Sequence, residues 1–152
     1  MTTTEMIQIL TGMTGTLGFC VLFNIRGRRM VMTTLGGFLS WALFVLLSKF
    51  IDSDPISFLI VALVITFYSE IMARLLKTPT TTFIITALVP LIPGGSLYYT
   101  MAYAFESDAQ RFISRAITTL ELAAALAIGI IVASTLTKLF FAAKSNIKRK
   151  VL

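Results

Sequence analysis

Apolar positions dominate five long blocks of the chain, at about 6–25, 31–51, 56–75, 80–105 and 112–141, with polar residues gathered in the short stretches between them. A helix needs about 20 mostly apolar residues to cross the hydrocarbon of a bilayer. Every block meets that length, and the last two exceed it, which leaves room for tilt, a kink or extension past the bilayer. The connections are short, so neighbouring helices should run antiparallel. The pattern predicts an all-α integral membrane protein: one membrane domain over residues 1–152, five transmembrane helices and a basic tail at 142–152.

The fourth block departs from this regularity near its middle, at Pro90-Leu91-Ile92-Pro93-Gly94-Gly95. Proline has no backbone N–H, so Pro90 should leave the carbonyl of Thr86 without its helical partner, and Pro93 should do the same to Val89. Hydrocarbon offers no water to such groups, which must face protein or a wet cavity. A break of this kind builds solute sites in transporters. A second half-helix starting near Gly94 to Ser96 would present the amides of Gly94, Gly95, Ser96 and Leu97, and these, with the positive end of the helix dipole, attract a carboxylate. Ser96 is the expected cap. Tyr98, Tyr99, Thr100 and Tyr103 follow within two turns and offer hydroxyls. The plain alternative is a kink that only shapes packing, since proline is common in membrane helices.

Charge sets the orientation and excludes several functions. Only 13% of residues are charged and 57% are apolar, against about a quarter charged in soluble domains. The net charge of +6 does not form one soluble basic face, so nucleic acid is not an expected partner. Instead, ten of the thirteen lysines and arginines lie in the first connection (Arg26, Arg28, Arg29), the third (Arg74, Lys77) and the tail (Lys138, Lys144, Lys148, Arg149, Lys150). The positive-inside rule puts these in the cytoplasm, giving N-terminus out and C-terminus in. The tail reads as an anchor on anionic lipid. The first residues lack the basic region of a signal peptide, so the first block should stay in the mature protein. With no histidine and a single cysteine, Cys20, neither a disulfide, a usual zinc site nor a Ser-His or Cys-His centre is available. No enzyme activity, metal or cofactor is expected.

Two carboxylates fall inside apolar blocks. A charged side chain at mid-bilayer costs at least about 2.5–3.5 kcal/mol, so each should face protein or water. Glu70 lies four residues before Arg74, the spacing of a helical ion pair. Glu121 has no basic residue three or four positions away, so its partner must come from another helix or chain. Both are proton-coupling candidates, Glu121 the better one. Gly12, Gly15 and Gly18, with Gly36-Gly37 and Ala123 to Gly129, supply small faces for close helix packing. Trp41 and Lys49 read as interface anchors.

The Lys77–Thr80 lead-in and the run Ala87-Leu88-Val89-Pro90-Leu91-Ile92-Pro93-Gly94-Gly95, followed by Tyr98, resemble the threonine/serine exporter family. More narrowly, the chain resembles its small, YjjB-like subunit, equivalent to the C-terminal membrane half of the fused exporters. The resemblance implies export of threonine and serine, or of a dicarboxylate such as succinate in related two-component systems, driven by the membrane potential or proton gradient. The motif itself carries over to Pro90, Pro93 and Gly94. Since the other half is missing, a separate large membrane subunit is implied.

The resulting expectation is a multi-pass subunit of a secondary transporter in a bacterial inner membrane. Its small carboxylate-bearing substrate would meet Thr86, Val89, Pro90, Pro93, Gly94, Gly95, Ser96, Tyr98 and Tyr99, and self-association is open. The competing reading is a non-transporting scaffold that assembles or stabilises a partner transporter.

Overall fold

Backbone polar groups in hydrocarbon have to pair within their own segment, and this chain does so by being helical almost throughout. The computed structural model describes residues 3–106 and 108–150, with side chains as far as residue 143. Among them run α1 (Thr3–Leu22), α2 (Arg28–Leu47), α3 (Asp54–Leu75), α4 (Thr80–Leu88), a 3-10 turn (Val89–Leu91), α5 (Gly94–Phe105) and α6 (Ala109–Lys150). Helices α1, α2, α3 and α6 are each long and apolar enough to span a membrane, and α4 with its 3-10 turn joins α5 into a fifth path bent by 57°. The five-block pattern thus stands as four spanning helices and, at the fourth block, one bent helix pair. The tail expected at 142–152 differs: α6 continues as helix to Lys150, while the side chains beyond 143 lie outside the described residues.

Two connections close by the same device. Asn24 adopts φ 55° and Lys77 φ 49°, each just past a helix end. Ile25 N–H then reaches the Cys20 carbonyl (2.8 Å) and Thr78 N–H the Ala73 carbonyl (2.9 Å), while the amides of Asn24 and Lys77 bond three residues back. These paired bonds satisfy the last carbonyls of α1 and α3 and stop each helix short of the polar stretch. α1 consequently ends at Leu22, three residues before the apolar block does. At the start of α3, Pro55 occupies a first-turn position, where its fixed φ suits a helix and its missing N–H costs nothing.

Close packing runs through glycine. An added Cβ at Gly37 would overlap the Thr16 side chain, joining α1 to α2, and one at Gly36 would lie 2.9 Å from Ala87 Cβ, joining α2 to α4. At Gly129 it would sit 2.7 Å from Ala62 Cβ and 2.9 Å from the Leu59 carbonyl, so α6 lies directly on the backbone of α3. Phe58, Val61, Ile65, Ala87, Leu88, Leu91, Leu122 and Ala125 form the core between these helices. α4 is enclosed by α1, α2 and α3, whereas α5 leaves that body and packs mainly along α6. The two halves of the broken span thus have different surroundings, one buried and one lateral.

Where α3 meets the end of α6, Glu70 is 3% exposed and its Oε2 lies 2.5 Å from Arg74 Nη1. The Arg74 guanidinium sits 4.1 Å from the centre of the Phe141 ring. At the other end of the bundle, Lys49 pairs with Glu5 at 2.8 Å.

The packing at Gly129 is open to a direct check. Gly129→Ala should destabilise the bundle by about 1–3 kcal/mol through overpacking, read as a lower thermal midpoint in detergent. Gly15→Ala, whose methyl would meet nothing within 4 Å, is the control that should not fall. Equal midpoints for the two variants would contradict the contact between α3 and α6.

Candidate solute site at the broken helix

Two prolines remove two donors, and the backbone answers by tightening. Val89 N–H bonds the Thr86 carbonyl, and Ile92 N–H bonds the Val89 carbonyl at 3.1 Å. The carbonyls expected to be freed at Thr86 and Val89 are therefore occupied, because i→i+3 pairing shifts each bond by one residue. The shortage moves onward to the Pro90 carbonyl: Pro93, three residues on, has no N–H, and Gly94, four residues on, bonds the Ile92 carbonyl instead.

Pro93, with φ −73° and ψ 53°, makes a tight three-residue turn in which Gly94 N–H bonds the Ile92 carbonyl at 2.6 Å. Leu97 N–H bonds the Pro93 carbonyl at 3.0 Å. Of the four amides expected at the start of α5, those of Gly95 and Ser96 remain. Gly94 and Gly95 are exposed, and an added Cβ at either would meet nothing within 4 Å. The start of α5 therefore opens outward from the bundle with bare backbone.

Ser96 is not the cap. Pro93 holds that position without a side-chain bond, and Ser96 Oγ instead lies 2.7 Å from Thr119 Oγ1 on α6. Thr100 Oγ1, 3.1 Å from the same Thr119 atom, donates to the Ser96 carbonyl at 2.8 Å. Tyr98 and Tyr99 are 69% and 52% exposed and stack edge to face with ring centres 5.4 Å apart, on the outside of α5.

The other side of the break faces α1. Val89 and Pro90 line a groove of about 260 Å³ with Gln8, Thr11, Gly12, Gly15 and Trp41. α1 comes close here because Gly12 has no side chain: a Cβ would lie 3.4 Å from Trp41 Cβ and 3.6 Å from Pro90 Cβ. Among the described residues, four buried side-chain donors have no partner: the hydroxyls of Ser57, Thr66 and Ser69, all on α3, and Trp41 Nε1. Trp41 alone among them walls this groove. Thr86 is buried behind it, its hydroxyl donating to the Thr82 carbonyl at 3.0 Å, and lines a second hollow of about 230 Å³ toward Phe23 and Thr82.

The two glutamates are not brought to the break. Glu70 is spoken for by Arg74. Glu121 is exposed on the outside of α6 and makes no ion pair or hydrogen bond among the described residues. It nonetheless lies near the depth of the break, two residues, about 3 Å of helix rise, beyond Thr119. Gln8, Thr11 and Trp41 were the residues missed by reading the sequence. A signal existed for Trp41, which lies well inside its span while interfacial tryptophans sit at span ends.

A bundle of apolar helices, one of them interrupted midway beside a small partly polar groove, has the architecture of a multi-pass membrane transporter. Residues 8–136 match the family model described as "Threonine/Serine exporter, ThrE", and the chain belongs to the threonine/serine exporter family. That is a family of exporters and not of enzymes. No curated protein and no solved structure matches the chain.

A buried donor without an acceptor costs about 1–3 kcal/mol. Trp41→Phe removes the indole N–H and keeps an aromatic ring against Phe44, whose centre is 5.2 Å away. Its thermal midpoint in detergent should equal or exceed that of the unaltered chain. A drop of several degrees would show that the indole nitrogen has an acceptor within the bundle.

Proposed function

We propose that the chain is the small subunit of a secondary transporter that exports threonine, serine or a related small carboxylate, with the solute bound at the interruption between α4 and α5. The observation that carries this reading is the break in helical pairing at one depth: the Pro90 carbonyl loses both its helical donors, Pro93 having no N–H and Gly94 bonding Ile92, beside the first-turn amides of Gly95 and Ser96, which have no acceptor within α5. An amino acid or dicarboxylate offers the carboxylate that such amides take. An ammonium group suits the carbonyl. Pro90, Pro93, Gly94 and Val89 shape the site, Thr86 backs it, and Tyr98 and Tyr99 stand beside its outer face.

The site is one-sided within this chain. Gly94 and Gly95 are exposed, and lipid cannot satisfy the open backbone they present. Glu121, exposed in the middle of an apolar helix, has the same need. A separate large membrane subunit, or a second copy of this chain, meets both requirements by covering this face. Glu121 then becomes the proton-coupling carboxylate at the joint between subunits, while Glu70 serves as a structural ion-pair partner. The positive-inside distribution supports N-terminus out and C-terminus in, in a bacterial inner membrane. The same exposed Glu121 also favours the scaffold reading, in which this chain only holds a transporting partner.

Proteoliposomes carrying the chain with its large partner separate the two. Pro90→Ala combined with Pro93→Ala should abolish efflux of labelled threonine, serine or succinate while insertion remains normal; undiminished efflux would remove the break from the mechanism. Glu121→Gln should leave a flux that no longer responds to an imposed pH gradient. Full gradient dependence in that variant would exclude Glu121 as the coupling group.

A further inference from the structure

A cleft of about 630 Å³ lies away from the break, at the end opposite the basic connections, where α5 gives way to α6. Tyr103, Asp108, Gln110, Arg111, Ser114 and Arg115 line it. Asp108 organises one wall: its Oδ1 accepts from Arg111 N–H at 3.0 Å and its Oδ2 lies 3.3 Å from Arg111 Nε. The Arg111 guanidinium also sits 5.8 Å from the Tyr103 ring centre. Arg115, one turn further along α6, has no acidic partner among the described residues.

That leaves one surplus positive charge in the cleft. Among the residues lining the cleft, Arg111 and Arg115 face a single carboxylate, Asp108, which Arg111 holds; Asp52, Asp54 and Glu106, at the same end, do not line it. Like charges four residues apart on a helix cost roughly 0.2–0.5 kcal/mol, so the Arg111–Arg115 pair is placed against local stability. An anion between them reverses that sign.

A polar line leads inward from Arg115. Thr119 donates to the Arg115 carbonyl at 2.8 Å and meets Thr100 at 3.1 Å and Ser96 at 2.7 Å. Ser96 belongs to the first turn of α5, whose amides have no acceptor within the helix. Hydroxyls thus run along the α5–α6 seam from the cleft to the interruption.

We propose that this cleft is the outer vestibule of the solute path: Arg115 holds a carboxylate-bearing solute there, and the Thr119–Thr100–Ser96 hydroxyls connect it to the break. The identity of the solute rests on the exporter reading; the electrostatic trap and the seam do not.

Cysteine modification tests both parts without measuring transport. Cys20 is fully buried; Cys20→Ala gives a background in which Ser114→Cys reports on the cleft and Ser96→Cys or Thr100→Cys on the seam. In vesicles of zwitterionic lipid, a sulfonate-bearing methanethiosulfonate should modify Ser114→Cys about tenfold faster than its trimethylammonium counterpart. Arg115→Gln should abolish that preference, and threonine, serine or succinate should slow the reaction. No preference, or a preference indifferent to Arg115→Gln, overturns the trap. Should anionic lipid protect Ser114→Cys while all three solutes fail to, the arginines are a head-group clamp and the vestibule is refuted. Unreactive cysteines at both 96 and 100, in chains whose Ser114→Cys reacts, overturn the seam. Protection by solute in vesicles that show no export would sink the exporter reading and leave the vestibule standing.

Discussion

A peptide group stripped of water must find a partner, and one interruption of helical pairing governs how the rest of this molecule is arranged. From Thr86 to Leu97 the chain spends its remaining donors on short-range bonds: a 3-10 turn, a three-residue turn at Pro93, then a new helix. What is left over is small and confined to one depth. The buried first half of the span stays ordered because three helices enclose it, and the second half is held by α6.

Glycine and hydroxyl residues make that enclosure possible. Bare backbone at Gly36, Gly37 and Gly129 brings helices into contact that any side chain would prevent. Many threonines return their hydroxyls to carbonyls one turn back, as Thr16 does to Gly12 at 2.9 Å and Thr33 to Arg29 at 2.8 Å, which lets them sit in an apolar bundle; the buried Thr66 hydroxyl is an exception. Tyr68 reaches across instead, donating to the Met32 carbonyl at 2.7 Å and tying α3 to α2. Apart from Glu121, charge inside the apolar blocks is kept to the ends, where Lys49–Glu5 and Glu70–Arg74 close the bundle.

Much of this could be read from residue order alone. Hydrophobic length is a coarse, long-range signal, and it gave every span; prolines gave the break, and the spacing of Glu70 and Arg74 gave their pair. Finer points were lost because they depend on geometry that spacing does not encode. Deleting an N–H at Pro90 suggested a free carbonyl at Thr86, but a tighter turn let Val89 fill it and moved the deficit to the Pro90 carbonyl. Ser96 looked like a cap, yet the chain turns at Pro93, and Ser96 faces α6. The groove at Trp41 could not be foreseen, since it arises from three helices meeting where Gly12 has no side chain.

Ser96 and Thr100 stand one turn apart on α5, and both reach the same oxygen of Thr119. Two hydroxyls on one oxygen fasten the helices twice over: with either Ser96 or Thr100 gone, Thr119 keeps a neighbour, so the outer half of the span stays latched to α6 beyond the joint at Pro93.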